Sequence, residues 1–301
     1  MDLLNTYGQN SWAVVTGASD GIGRGFCEEL ARIGFNIVLI SRTKTKLDTV
    51  AKSLTEINPS IKTKIIIYDF SINNKTFNYI ESFSNLLSEL DISILVNNVG
   101  ISFPKLFSDL TITEVKDFIA INIIPQTMLS KVILNQLSNR MNTNAKSAII
   151  NLSSTTYINP LYMYSQYAAT KAFNLFLSKG MEYECKHDKS NTNKVDIIAV
   201  TPGLVATSQV GYTSREANGY SVCTPNQCAN SVLDNLGFEN ETAGYWFHQL
   251  QIKILYFISS IVCTSVLYAL TKNAANDLNK RMIKFKEKEM SESLIENNEI
   301  N

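Results

Sequence analysis

The stretch YMYSQYAATKAF, residues 162–173, holds three tyrosines and one lysine, and Tyr167 precedes Lys171 by four positions. On a helix, residues four apart share a face. A phenol ionises near pH 10 and, unaided, is a poor proton-transfer group at neutral pH. An ammonium ~4 Å away contributes about 4 kcal/mol at an effective dielectric of 20. That would bring the phenol into the working range of an acid–base catalyst, so the pair is expected to move a proton. Spacing alone does not choose the residue, because Tyr268 and Lys272 repeat it. Context does. Thirteen residues before Tyr167 stands Ser154, at the end of the apolar run SAIINLS, where a fixed hydroxyl would face a ligand. Thirteen residues before Tyr268 is Leu255, inside an apolar stretch.

The elements that must position this group appear as an alternation. SWAVVT (11–16), NIVLI (36–40), TKIIIYDF (63–70), ISILVN (92–97), SAIINLS (147–153) and VDIIAV (195–200) are short and rich in Ile and Val. Strands buried on both faces of a parallel sheet look like this. Between them lie stretches of helical period, such as RGFCEELARIG (24–34), with Phe26, Leu30 and Ile33 on one face and Gly34 as C-cap. The alternation predicts an α/β fold, a doubly wound parallel sheet with helices on both faces and ligands beyond the C-terminal strand ends.

Directly after the first strand comes TGASDGIG, with Gly17, Gly21 and Gly23. A strand running through a glycine turn into a helix presents unpaired N–H groups, and the helix dipole, to an anion such as a pyrophosphate. The spacing is G-x-x-x-G-x-G, not the G-x-G-x-x-G of most dinucleotide folds. Where an NAD site carries an acidic residue at the end of the second strand, this chain has Ser41 and Arg42. An arginine there can hold a 2′-phosphate, which points to NADP(H); the alternative is a solvated arginine opening a helix.

Composition removes other classes. Of 301 residues, 45% are hydrophobic and 18% charged, a globular balance, and 27 basic residues match 27 acidic ones, which gives no electrostatic case for nucleic acid. The five cysteines (Cys27, Cys185, Cys223, Cys228, Cys263) contain no C-x-x-C pair and read as reduced thiols. Two distant histidines, His187 and His248, make serine–histidine hydrolysis and a metal site poor expectations. No signal peptide is visible in MDLLNTYGQN.

TGASDGIG, NNVG (97–100), Asn122 in IAINII, Ser154, YAATK (167–171) and TPGLVAT (201–207), in this order, resemble the short-chain dehydrogenase/reductases. The resemblance covers roughly residues 11–210. It implies a Rossmann-type sheet, a nicotinamide cofactor and a catalytic group of Tyr167, Lys171, Ser154 and Asn122. Tyr167 would give a proton to a carbonyl oxygen, and Lys171 would lower its pKa and hold the nicotinamide ribose. Ser154 would bind the substrate oxygen, and Asn122 would position a water between Lys171 and solvent. Cofactor contacts would come from Gly17, Ser19, Asp20, Gly21, Ile22 and Gly23 of the turn, with Arg42, Asp69 beside the adenine, Asn97 supporting the central strand, Pro202, Gly203, and Thr207 at the carboxamide. SWAVVTGASDGIGRGFCEELARIGFNIVLISR and the valine of NNVG look closer still to the microsomal 3-oxoacyl-CoA reductases, a branch that includes 17β-hydroxysteroid dehydrogenases. The function implied is NADPH-dependent reduction of a 3-oxoacyl-CoA in very-long-chain fatty-acid elongation. The alternatives are a 17β-hydroxysteroid or retinoid oxidoreductase and a non-catalytic nucleotide-binding relative. A homodimer through helices near 111–139 and 163–187 is also implied.

The chain divides into a short extension (1–10), a dinucleotide-binding catalytic domain (11–244), an apolar helical segment (245–272) and a polar tail (273–301) expected to be frayed. Within the domain, residues 204–223 are expected to form a lid over the substrate. ILYFISSIVCTSVLYALT (254–271) carries no charge. As one helix it would be ~27 Å long against a ~30 Å hydrocarbon core. Members of the branch usually have an apolar N-terminal anchor, so the expectation of membrane contact rests on this segment. A single span with the basic tail inside would carry the catalytic domain to the lumen, away from cytosolic NADPH. A re-entrant or surface-lying helix at the endoplasmic reticulum, with the domain facing the cytosol, avoids that conflict; the alternative is a buried helix closing the substrate pocket or an oligomer interface, in a cytoplasmic protein.

Overall fold

The computed structural model describes residues 2–71, 79–140, 145–159, 161–187, 195–262 and 264–299. In chain order the elements are α1 (Leu3–Tyr7), β1 (Trp12–Thr16), α2 (Gly21–Ile33), β2 (Asn36–Ser41), α3 (Lys44–Ile57), β3 (Thr63–Ile67), α4 (Tyr79–Leu87) and β4 (Ile92–Asn97). Then follow α5 (Ile112–Asn122), α6 (Ile124–Ser138), β5 (Ser147–Leu152), α7 (Ser165–His187), β6 (Val195–Val200), β7 (Leu204–Val205), β8 (Val222–Cys223), α8 (Pro225–Asn235), β9 (Glu241–Thr242), α9 (Trp246–Ile261) and α10 (Thr264–Glu299).

Seven strands form one sheet in the order β3-β2-β1-β4-β5-β6-β9, every pair parallel. The order reverses between β1 and β4, and the crevice that opens there is where such folds bind ligands. All six runs expected as strands are strands. The seventh, β9, is a two-residue edge strand too short to carry a periodic signal.

Alternation along each strand feeds two cores. Ala13, Val15, Ile37, Leu39 and Ile150 face one layer with Phe26, Leu30 and Leu54 of α2 and α3 and Val232 of α8. Val14, Val38, Ile40 and Ile149 face the other, with Phe83, Leu129 and Ile133 of α4 and α6. The helix ends follow local chemistry. The Asp20 side chain caps α2, and Gly34, at φ 118°, closes it. Thr111 with Glu114, and Thr224 with Gln227, form capping boxes at α5 and α8.

Two expectations about the C-terminal region change. The apolar stretch 254–271 is not one helix: α9 ends at Ile261 and Val262 is extended, with φ −103° and ψ 135°. β-branched Val262 favours that conformation, and the Ser260 hydroxyl turns back onto the Phe257 carbonyl just before it. The polar tail is helical through Glu299. From Thr264 to Glu299 it contains neither Gly nor Pro and is rich in Ala, Leu, Lys and Glu, all strong helix formers. Among the described residues, the helical run long and apolar enough to cross a membrane is Ile112–Ser138, and half of its apolar window is buried in the protein.

Candidate active site

At the end of β1 the Thr16 hydroxyl accepts from the backbone N–H groups of Asn98 (2.9 Å) and Val99 (3.0 Å), tying the first glycine turn to the end of β4. The Asn98 amide completes the tie by donating to the Thr16 carbonyl at 2.9 Å. Gly17 and Gly21 have φ of 64° and 55°, the left-handed region that side chains avoid. A Cβ on Gly23 would lie 2.3 Å from the Gly17 carbonyl oxygen, so α2 begins in contact with the turn. This cradle, which side chains would fill, fits a pyrophosphate at a helix N-terminus. Gly23→Ala is therefore expected to weaken NADPH binding at least tenfold and to cost about 1–3 kcal/mol of stability by overpacking. Fluorescence titration with NADPH and denaturant unfolding measure the two effects, and wild-type affinity in the variant would refute the close-approach argument.

The outer end of the crevice is built by strand tips. Ser41 ends β2 and its hydroxyl lies 2.9 Å from that of Ser19, while Arg42 is exposed beside it. Asp69, beyond β3, accepts from the Ser71 N–H at 2.9 Å.

At the inner end, Ser154 follows β5 and is buried, with its hydroxyl accepting from the Thr156 N–H at 3.3 Å. Tyr167, in the first turn of α7, neighbours that serine, whose side chain favours the ionised phenol. Lys171, one turn on and buried, donates to the Leu152 carbonyl at 2.8 Å, and its Nζ lies 5.8 Å from the Tyr167 ring centre. Asn122, buried where α5 gives way to α6, accepts from the Ile101 N–H (2.7 Å) and donates to the Ile101 carbonyl (3.0 Å) and the Thr170 hydroxyl (3.1 Å). A Cβ on Gly100 would be 3.4 Å from Asn122 Oδ1 and 3.5 Å from Lys171 Nζ. The glycine thus leaves between those two groups the kind of space that the expected bridging water needs.

One electrostatic expectation is overturned. Burial pushes the Tyr167 phenol up to about 12, opposed only by the Ser154 side chain. Burial also brings Lys171 down to about 8. Desolvation of both groups outweighs the attraction of an ammonium lying over the ring face and committed to a carbonyl. Tyr167 therefore stays protonated at neutral pH, which suits a proton donor.

A cavity of ≈950 Å³ joins these parts. Gly17, Asp20, Gly21 and Ile22 of the turn, Arg42 and Asp69 at strand ends, and Pro202, Gly203 and Thr207 line it together with Ser154, Tyr167 and Lys171. Gly23, Asn97 and Asn122 are not part of its lining, and Ser19 lines an adjoining depression with Asp20 and Gly21. Asn97, at the end of β4, donates to Asn151 of β5 (2.8 Å) and Ser130 of α6 (3.0 Å). The 204–223 segment covers one side, held at its base by β7 pairing with β8.

His248 has a structural role that its sequence neighbourhood does not show. It is fully buried on α9, its Nδ1 accepts from the Gly203 N–H at 3.2 Å, and its Nε2 lies 3.3 Å from the Ser221 carbonyl. Burial lowers its pKa, so it is neutral and pins the 201–207 loop to the lid segment. Nothing in the flanking sequence signals this contact, which spans 45 residues.

The model of the family described as short chain dehydrogenase matches residues 11–218. The chain belongs to this family. A very-long-chain 3-oxoacyl-CoA reductase-A of Danio rerio is 38% identical over 245 residues, 79% of this chain and 70% of that one. An inactive hydroxysteroid dehydrogenase-like protein 1 of Homo sapiens is 33% identical over 253 residues, 83% of this chain and 72% of its own length. Among solved structures, a short-chain dehydrogenase from Sphingobium yanoikuyae in complex with NADPH superposes with a TM-score of 0.64 at 25% identity, covering 75% of this chain and 84% of that one. In this short-chain dehydrogenase the serine, tyrosine and lysine converge at the floor of one cavity whose other end is the glycine turn. That arrangement can place a carbonyl oxygen between two hydroxyls with a dinucleotide alongside.

Proposed function

We propose that this short-chain dehydrogenase is an NADPH-dependent reductase of a carbonyl on an apolar substrate, most specifically a 3-oxoacyl-CoA of the kind used in very-long-chain fatty-acid elongation. The observation that carries the reading is the Ser154–Tyr167–Lys171 group opening into a cavity continuous with the glycine turn. The name of the Danio rerio relative supports the substrate class, and the NADPH-bound structural relative supports the cofactor.

NADPH, when bound, supplies a hydride; the remaining work belongs to the chain. Gly17, Gly21 and the N-terminus of α2 receive the pyrophosphate, and Arg42 with Ser41 and Ser19 receives the 2′-phosphate. The Ser154 hydroxyl holds the carbonyl oxygen. Tyr167 donates its proton to that oxygen as negative charge develops there. Lys171, near its own pKa at neutral pH, returns a proton to the phenolate and holds the ribose, with Asn122 aligning the path behind it.

A hydroxysteroid oxidoreductase is the second reading. Gln251, on the cavity wall with Ile254 and Leu255 of α9, offers a polar group to a second oxygen on a rigid skeleton. A non-catalytic role is disfavoured because the catalytic group is complete. Membrane contact is supported by α9, where Trp246, Leu250, Phe257 and Ile261 are exposed at helical spacing beside the cavity. A homodimer is supported by Phe173, Phe176 and Tyr183, exposed along α7.

The test is a carbonyl panel of long 3-oxoacyl-CoA, steroid and retinoid substrates, each with NADPH and with NADH. The expected result is oxidation of NADPH by the acyl-CoA, with NADH at least tenfold poorer. Turnover of steroids alone selects the second reading, and tight NADPH binding without turnover of any substrate defeats both.

A further inference from the structure

The tail that sequence composition suggested would fray is fastened across the active-site cavity. Ala275, Leu278, Met282 and Phe285 recur at alternating spacings of three and four, one face of α10. Ala275 and Met282 are buried, at 1% and 4% exposure. The Tyr164 hydroxyl reaches Met282 Sδ at 3.4 Å, and a Cβ on Gly211 would lie 3.2 Å from Met282 Cα. Arg281 pairs with Glu216 at 2.7 Å and lies 4.0 Å from the Tyr212 ring centre. Lys272 Nζ stands 5.3 Å from the ring centre of Tyr162. These contacts tie α10 to the two segments that flank the catalytic tyrosine, the 162–164 loop and the lid. Between them Ala274, Ala275 and Leu278 line the cavity together with Asp277 and Arg281, and Ile254 and Leu255 of α9 line the same cavity.

The geometry points to α10 as the wall that binds the hydrocarbon body of the substrate, with Ala275 and Leu278 setting how bulky that body can be. The inference rests on the reading that a carbonyl of an apolar substrate is reduced at Tyr167. The two alanines leave depth where larger side chains would close the cavity. The Arg281–Glu216 pair is exposed and so contributes little net stability. The helix is therefore positioned mainly by its buried apolar stripe.

The test uses the full chain with NADP+ and cis-parinaric acid, a fluorescent C18 polyene fatty acid, as the probe. Wild type is expected to bind it saturably. Ala275→Phe, which fills the cavity from a buried position, and Leu278→Trp, at a less buried one, are each expected to raise Kd at least tenfold. Ile283→Asn, on the exposed side of α10 at 50% exposure, is expected to leave Kd unchanged. NADPH titration of each variant confirms that the fold is intact. Displacement of the probe by an acyl-CoA or by a steroid identifies which hydrocarbon body fits, and either supports the assignment. The assignment is overturned if wild type shows no saturable binding, if both cavity variants bind normally, or if Ile283→Asn weakens binding equally. Probe binding that the cavity variants lose, in a protein that reduces no carbonyl, would uphold the α10 wall and remove the reductase reading instead.

Discussion

Tyr167→Phe is expected to lower kcat/KM for carbonyl reduction by about 10³-fold, within the usual range for removal of a positioned general acid. NADPH affinity should stay close to wild type. The substitution deletes one hydroxyl and keeps the ring, so the edge contact with Tyr164, 6.3 Å between centroids, survives. Ser154 retains its bond from the Thr156 N–H. What disappears is the proton. With its pKa pushed up to about 12, the phenol is neutral throughout the physiological range and poised to give that proton to an oxygen gaining charge. Steady-state kinetics beside an NADPH titration separates the two effects. Turnover of Tyr167→Phe at the wild-type rate would mean that the proton comes from elsewhere.

Lys171→Met is expected to abolish most of the activity and yet to stabilise the fold. Burial holds the lysine at about 8 in the folded chain, against an ordinary value of 10.5. Below pH 8 the ammonium is buried at a cost of roughly 3 kcal/mol relative to the unfolded chain. Between 8 and 10.5 the unfolded state binds more protons than the folded one, so wild-type stability rises with pH through that window. An apolar isostere avoids the cost and loses one hydrogen bond to the Leu152 carbonyl. The net expectation is a gain of about 2 kcal/mol at pH 7 that vanishes above pH 10.5. Denaturant unfolding of both proteins at the two pH values measures it; a less stable variant at pH 7 would contradict the burial argument. The same titration predicts that reduction by the wild type declines as pH rises through about 8, because a neutral Lys171 cannot return a proton to Tyr167.

The two results draw on different levels of the molecule. Which tyrosine stands beside both a lysine and a strand-tip serine was legible in the sequence, because a lysine one turn away and a serine at a strand tip are local facts. How the group is tuned was not. The separation of Lys171 from the phenol, and the burial that sets both proton affinities, depend on Leu152, Ser153 and Asn122 closing around α7 from elements distant in sequence. The contact made by His248 was illegible for the same reason, since its partners Gly203 and Ser221 lie on loops that only the fold brings to α9.

The residues alone determined six strands, the glycine turn, the tyrosine–lysine–serine group and the character of the second-strand tip, because each follows from periodicity or from chemistry within a few positions. Tertiary structure decided the rest. A polar tail with strong helix propensity could fray or dock, and the outcome turned on whether its sparse stripe of Ala275, Leu278 and Met282 found an apolar surface. It found one over the cavity. Burial by distant neighbours is a property of the assembled chain, and it set both the proton affinity of Tyr167 and the place of the last helix.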